Sequence, residues 1–91
     1  DIGWADVGNW GALWELSDRT ERGDALDGDV TAVATRNCLA RTDGPAVVLA
    51  GVEDLVVVVE NGVVLVTRRD ATTEVREGVE ALKAKGRTEL L

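Results

Sequence analysis

The sequence predicts a mainly β domain flanked by two helices. Between residues 30 and 67, short apolar runs rich in β-branched residues alternate with glycine, proline and acidic residues, which is typical of successive strands. Apolar residues at helical spacing occur only toward the two ends of the chain. A length of 91 residues suits one domain, and 45% hydrophobic with 30% charged residues is an ordinary globular composition.

The first helix is predicted over residues 10–21. Trp10, Leu13 and Trp14 recur at i, i+3 and i+4 and form one apolar stripe. Asn9 is a suitable N-cap, because its side-chain oxygen can accept a free N–H of the first turn. Gly23 is a plausible stop, since glycine readily adopts the left-handed conformation found after helices.

Residues 23–29, with the sequence GDALDGD, are predicted to form an acidic loop. Loops rich in aspartate can bind calcium. This one lacks both the ligand spacing of an EF-hand and its closing glutamate. We therefore expect a loop without a calcium site.

The β region comprises five apolar runs: VTAVAT from Val30, NCLART, AVVLA, LVVVV and VVLVT. Asn61-Gly62 joins the last two as a hairpin, because both residues tolerate the positive φ of a tight turn. The runs are continuously apolar, which is typical of strands covered on both faces. Either the strands wrap into a coil or barrel, or something outside the chain covers one face.

The second helix is predicted over residues 73–85, and it is expected to pack on the strands. Thr72 or Thr73 can cap its start, and Gly86 can end it. Its apolar face is formed by Val75, Val79 and Leu82.

The formal net charge is −7, and residues 1–29 carry most of it, with eight acidic and two basic side chains. Such a surface argues against nucleic-acid binding, which needs a basic footprint. An acidic front can bind cations, but a solvated surface is the interpretation that charge alone favours.

No apolar run reaches membrane-spanning length, and the first residues lack the basic region of a signal peptide. Cys38 is the single cysteine, so an internal disulfide is excluded and a reducing, cytoplasmic location is expected. We expect no membrane partner.

The catalytic inventory is small. The chain has no histidine, so neither a Ser-His-Asp nor a Cys-His arrangement can be built, and a zinc site is close to excluded. Cys38 lies in a strand-like run and is interpreted as a small buried hydrophobe. The paired acids Glu53-Asp54 and Asp27/Asp29 have no evident partners, and Glu53-Asp54 is expected in a turn. Nothing here predicts a self-contained active site.

Asp6 is the acidic residue whose setting is most specific. It lies in a turn bounded by Gly3 and Gly8, ahead of the first helix. A carboxylate there could ligate a hard cation such as Mg²⁺. It could instead bond backbone N–H groups as turn aspartates do, and physical grounds favour that second interpretation.

The stretch GWADVGNWGALWEL resembles the Trp-x-Asp-x-Gly-x-Trp segment of sugar-1-phosphate nucleotidyltransferases, specifically mannose-1-phosphate guanylyltransferases. GDALDGDV and RNCLART are similar to the stretch that enters the C-terminal β-rich domain of that family. The segment GVEDLVVVVENGVVLVTRRDATTEVREGVEALK resembles its later strands and closing helix. The resemblance covers nearly the whole chain.

The resemblance implies a parent enzyme that transfers GMP from GTP to mannose 1-phosphate, giving GDP-mannose and pyrophosphate with Mg²⁺. It implies that Asp6 is a metal ligand and that Gly8 shapes the substrate-binding turn beside it. Residues 1–22 would end the catalytic domain and form a linking helix. Residues 23–91 would form a left-handed β-helix-like C-terminal domain, with a terminal helix, that contributes to a homodimer.

The chain lacks the family's Gly-rich nucleotide loop, its second metal-ligating acid and its Glu-Lys-Pro sugar segment. We therefore expect a C-terminal portion, cut just before WADVG, that is inactive without its N-terminal nucleotide-binding domain. Two alternatives stay open. One is a structural or oligomerisation module without catalysis, and the other is part of a related enzyme that uses another nucleotide or sugar.

Overall fold

The strands of the computed structural model wind around a common axis. It describes residues 14–87, apart from the side chain of Thr72. Residues 14–16 are helical. The remaining elements, in chain order, are β1 (Ala25–Asp27), β2 (Val30–Val33), β3 (Leu39–Thr42), β4 (Val47–Ala50), β5 (Leu55–Glu60), β6 (Val63–Arg68) and helix α1 (Thr72–Ala84).

The strands β1, β2 and β3 each pair with the strand two places further along the chain. One sheet has the order β1-β3-β5-β6 and the other consists of β2 and β4. The pairs β1–β3, β3–β5 and β2–β4 are all parallel, so the chain crosses from one sheet to the other and back in every turn. This arrangement confirms the first of the two expectations for the apolar strands, a coil.

The predicted hairpin is confirmed. β5 and β6 pair antiparallel, with Glu60 opposite Val63. Asn61 and Gly62, between them, have φ of 53° and 76°. Two consecutive positive φ values define a type I′ turn, whose twist matches that of the strands. The chain leaves the coil at this turn, and β6 becomes an edge strand.

Two apolar cores lie on opposite faces of the four-stranded sheet. The inner core, between the two sheets, contains Cys38, Ala40, Leu49 and Val57. The outer core lies between the four-stranded sheet, Trp14 and α1, and its buried members are Trp14, Ala25, Leu39, Val56, Val58 and Val75. β5 lies between both cores, so alternate side chains along it enter one core and then the other.

Coverage on both faces, predicted for all the apolar runs, holds fully only for β5. Residues 56–59 are all buried. Burial alternates along β2 and β6, because these strands turn one face outward. Val48 of β4 is likewise 69% exposed. Composition alone did not separate the central strand from the others.

The predicted loop over residues 23–29 is wrong in part, because Ala25–Asp27 forms β1. Ala25 pairs with Leu39 and Asp27 with Arg41 in a parallel ladder. A ladder of three residues has no periodicity that the sequence could show. Partnership with β3 supplies its backbone hydrogen bonds instead.

The first helix ends earlier than predicted. Residues 14–16 are helical but residues 17–21 are not, and residues 10–13 lie outside the described part. The Thr20 N–H donates to the Asp24 carbonyl at 2.8 Å, and the Gly23 N–H donates to the Thr20 carbonyl at 2.9 Å. These bonds fold the segment into a turn in place of a further helical turn. Gly23 is left-handed, with φ 85°, but it closes that turn and not the helix.

Helix α1 agrees with its prediction to within one residue at each end. The N-cap is Ala71, which has no side-chain cap, so the prediction of a threonine cap is wrong. Gly86 ends the helix as predicted, with φ 77°. Its N–H donates to the Lys83 carbonyl and the Arg87 N–H to the Leu82 carbonyl, which together satisfy two of the last carbonyls.

Candidate functional site

The two residues predicted for a site, Asp6 and Gly8, lie outside the described residues. Their roles stay predictions. The described chain begins at Trp14, eight positions after Asp6 in the sequence. The part of the structure that bears most directly on that segment is therefore the place where Trp14 meets the β-helix.

Trp14 is anchored in the outer core. Its side chain is 8% exposed and packs among residues of β1, β3 and β5. The indole Nε1–H donates to the carbonyl of Gly23 at 2.8 Å, so the polar end of the ring is satisfied. A buried tryptophan with its N–H bonded has both its position and its ring orientation fixed.

Two guanidinium groups lie over the Trp14 ring. The Cζ atoms of Arg19 and Arg69 are 4.3 Å and 4.2 Å from its centroid. Both distances are within the range of a cation–π contact, in which the positive charge is attracted to the ring's electron-rich face. We refer to Trp14, Arg19, Gly23, Asp54 and Arg69 as the Trp14 joint.

Asp54 orients Arg69 within the Trp14 joint. The Arg69 Nη2 is 3.0 Å from the Asp54 Oδ1, and the Arg69 backbone N–H donates to the Asp54 carbonyl at 3.0 Å. Asp54 has φ 57°, a conformation that aspartate adopts more readily than most residues. The Asp54 carboxylate therefore orients the Arg69 side chain. Glu53-Asp54 lies directly before β5, as predicted.

Asp24 is a buried aspartate at the centre of a small hydrogen-bonded cluster. Its side chain is 2% exposed, and Oδ2 accepts from the Thr35 hydroxyl at 2.5 Å while Oδ1 accepts from the Cys38 N–H at 2.9 Å. The Asp24 N–H in turn donates to Thr20 Oγ1 at 3.2 Å. These bonds tie the turn before β1 to the two ends of the loop between β2 and β3. The carboxylate is used structurally.

The other acidic candidates are dispersed. Asp27 pairs with Arg41 at 3.1 Å on an exposed face. Among residues 14–87, no group of three or more His, Cys, Asp and Glu side chains is placed to hold a metal ion. Asp24 and Asp27 thus have separate partners within the fold.

Cys38 is buried as predicted. It is 0% exposed, and its thiol lies 3.5 Å from the Arg36 carbonyl and 3.8 Å from that of Val52. It packs in the inner core as a small apolar residue.

An open apolar groove lies between β6 and α1, with a volume of about 370 Å³. We call it the β6–α1 groove. Its floor includes Leu65 and Val79, which are partly buried against the outer core. Nearby, Val64 and Val66 are 64% and 61% exposed.

Within the described part of the chain, no helix is long and apolar enough to span a membrane.

Sequence reasoning missed the Trp14 joint and the role of Asp24. In the sequence, Arg68 and Arg69 follow an apolar run and mark the end of a strand. The sequence does not indicate which of the two arginines contacts Trp14. Asp24 lies in an acidic stretch where every aspartate looks alike. In the fold, Asp24 is buried against Thr35 and Cys38, whereas Asp27 pairs with Arg41 in solvent.

Parallel strands that alternate between two sheets, closed by a hairpin and a terminal helix, define a β-helix domain. The family model described as "MannoseP isomerase/GMP-like beta-helix domain" matches residues 28–82. The chain belongs to this family of β-helix domains.

Curated relatives are similar over almost the whole chain. Mannose-1-phosphate guanylyltransferases of Klebsiella pneumoniae and Escherichia coli K12 are 42% and 43% identical over 98% of it. The alginate biosynthesis protein AlgA of Pseudomonas putida is 36% identical over 96%. The chain spans only 18 to 19% of the length of these three relatives. These matches confirm the resemblance stated from the sequence.

A solved structure shares the fold. The crystal structure described as that of a mannose-1-phosphate geranyltransferase from Thermus thermophilus aligns with a TM-score of 0.73 at 35% identity. The alignment covers 86% of this chain and 24% of that one. By name, the guanylyltransferases among the relatives are nucleotidyltransferases. This chain aligns with about a fifth of their length, and the family model identifies it as a β-helix domain.

Proposed function

We propose that the chain is the β-helix domain of a cytoplasmic mannose-1-phosphate guanylyltransferase, and that it forms the C-terminal portion of that enzyme. The parent enzyme would transfer GMP from GTP to mannose 1-phosphate and release pyrophosphate. The observation that carries this proposal is the identity of 42% with a guanylyltransferase over 98% of the chain. The shared fold, at a TM-score of 0.73, supports it.

Asp6 is the proposed magnesium ligand of the parent enzyme, and Gly8 the residue that lets the backbone approach the substrate. Mg²⁺ binds oxygen ligands, and it commonly uses one or two carboxylates together with substrate phosphates. When bound, it would neutralise charge on the transferring phosphoryl group. The nucleotide and the sugar would be held mainly by the N-terminal nucleotide-binding domain.

The β-helix itself would supply a scaffold and no chemistry. Asp24, Asp54 and Cys38 are all engaged in internal contacts. No metal-binding cluster is found among residues 14–87. We therefore propose that the 91-residue chain alone is inactive, and that its role is to hold the upstream segment on a rigid base.

The main alternative is an oligomerisation module, which the exposed valines favour. Val64 and Val66 lie outward on an edge strand beside the β6–α1 groove, and exposed apolar side chains grouped in this way often mark an interface. This alternative is compatible with a homodimer of the parent enzyme. A related sugar-1-phosphate nucleotidyltransferase that uses another nucleotide or sugar is the second alternative.

The role of Asp6 is tested by Asp6→Asn in the complete enzyme, with GDP-mannose formation measured as a function of Mg²⁺ concentration. We expect the Mg²⁺ requirement to rise and the rate at limiting Mg²⁺ to fall. Asp18→Asn is the matched control, because it makes the same change of charge at an exposed position. An unchanged rate at limiting Mg²⁺ would exclude Asp6 as a ligand.

The oligomerisation alternative is tested by the mass of the isolated chain in solution. A dimer that becomes monomeric with Val64→Lys would support an interface at β6. A monomer at all concentrations would contradict an autonomous dimerisation role.

A further inference from the structure

We propose that Arg69 is a positioning residue of the parent enzyme, acting through Trp14 on the upstream segment that carries Asp6. This inference rests on the proposed function. It goes beyond that function because it assigns a role to a side chain that lies 63 positions after Asp6 in the sequence.

Trp14 is held by contacts on several sides. One part of the ring is fixed by the outer core, and Nε1–H is fixed by the Gly23 carbonyl at 2.8 Å. The guanidiniums of Arg69 and Arg19 lie over the ring at 4.2 Å and 4.3 Å, and Arg19 is the more exposed of the two residues. The Trp14 ring therefore lies between the apolar side chains of the outer core and the guanidinium of Arg69.

Arg69 is itself held in place. It follows β6 directly and precedes α1, so both elements fix its backbone. Asp54 bonds both its side chain and its N–H, each at 3.0 Å. Its Nε is buried and has no hydrogen-bond partner among the described residues. The guanidinium is therefore kept over the ring by one ion pair and by stacking.

The Trp14 joint bears on the reaction through the upstream segment that carries Asp6. Asp6 lies eight residues before Trp14 in the sequence, so Trp14 is the described residue that is nearest to the proposed metal ligand along the chain. Catalytic rates respond steeply to small displacements of positioned groups. A change that frees Trp14 should therefore lower kcat without removing any group that binds substrate.

The test uses the complete enzyme with Arg69→Gln, and with Arg69→Lys as the conservative variant. Arg68→Gln is the matched control, because Arg68 is the adjacent arginine and makes an exposed ion pair with Asp70 at 3.4 Å. Two properties are measured for each protein. One is hydrogen exchange in peptides covering residues 14–25 and residues 55–60, and the other is steady-state GDP-mannose synthesis.

With Arg69→Gln we expect faster exchange in residues 14–25, no change in residues 55–60, and a kcat lower by roughly tenfold at a KM for GTP within about twofold. Arg69→Lys should recover part of the loss, because it keeps the charge but not the planar stacking. Arg68→Gln should match the unsubstituted enzyme.

Exchange in residues 14–25 equal to that of the Arg68→Gln control would overturn the contact's role in holding Trp14. Faster exchange with an unchanged kcat would overturn the positioning role. If Arg69→Gln does not fold, Asp54→Asn decides the same question, since asparagine tolerates the positive φ there and removes the ion pair. An unsubstituted enzyme without GDP-mannose synthesis would contradict the proposed function, and hydrogen exchange alone would then decide whether Arg69 holds Trp14.

Discussion

Single residues fix the geometry of the coil, and Gly28 shows how. It has φ 93°, and a Cβ built there would collide with the backbone carbonyl of Thr42 in the next turn of the coil. Glycine is required for two reasons. Other residues avoid this φ, and the backbones at Gly28 and Thr42 are both held in the coil and cannot move apart to make room for a Cβ. Gly44 lies in the following corner with open space around it.

Gly28→Ala is therefore expected to destabilise the chain by at least about 2 kcal/mol, from left-handed strain and the collision together. Gly44→Ala provides the control and should change the free energy of unfolding by less than about 1 kcal/mol. Urea denaturation of the two variants checks the comparison. Equal stability of the two would contradict the close approach of the coil turns at Gly28.

Asp24 and Asp27 test the difference between a buried and an exposed aspartate in one short segment. Asp24→Ala leaves the Thr35 hydroxyl and the Cys38 N–H without their acceptor, so we expect a loss of about 3 kcal/mol. Asp27→Ala removes an exposed ion pair with Arg41 and should cost less than about 1 kcal/mol. Similar losses of unfolding free energy for the two variants, measured by thermal or urea unfolding, would show that the hydrogen bonds of Asp24 to Thr35 and Cys38 do not stabilise the fold.

The residue scale also shows where sequence reasoning stops. Asn61-Gly62 was predictable because the turn type is written in two adjacent residues. Cys38 was predictable as a buried residue from its apolar surroundings. The contact of Arg69 with Trp14 joins residues 55 positions apart, and no local pattern encodes it.

At the scale of elements, the central strand and the edge strand of the hairpin differ in how they tolerate a polar atom. Val56 of β5 is 0% exposed, whereas Val64 of β6 is 64% exposed. Both are valines in neighbouring strands, so an identical substitution isolates the effect of burial.

Val56→Thr is expected to destabilise the chain by about 2 kcal/mol, because it buries a hydroxyl in the outer core. Val64→Thr should stay within about 0.5 kcal/mol of the original, since the hydroxyl meets water. Thermal unfolding measured by circular dichroism distinguishes the two. A large loss at Val64 would mean that β6 is covered in solution, as an interface between copies would require.

Element existence was largely predictable, and element ends and pairings were less so. α1 was placed to within one residue because its apolar spacing and Gly86 are local signals. The first helix was extended past residue 16 because the stripe of Trp10, Leu13 and Trp14 says nothing about the turn that Thr20 and Gly23 make. β1 was missed because a three-residue strand exists only through its partner β3.

At the scale of the whole molecule, the sequence indicated strands covered on both faces, and the coil together with α1 covers both faces fully only for β5. The parallel pairing of strands about 14 to 17 residues apart could not be deduced from composition, because equal apolar runs could also close as an antiparallel barrel. The resemblance to guanylyltransferases supplied the β-helix, and the relatives confirm that resemblance over 98% of the chain.

We have proposed that this β-helix is a scaffold for a guanylyltransferase and has no chemistry of its own. The most direct measurement compares Mg²⁺-dependent formation of GDP-mannose from GTP and mannose 1-phosphate by the complete enzyme and by the 91-residue chain. We predict product from the complete enzyme and none from the chain. Two results would contradict the proposed function: formation of GDP-mannose by the chain alone, or no GDP-mannose from the complete enzyme.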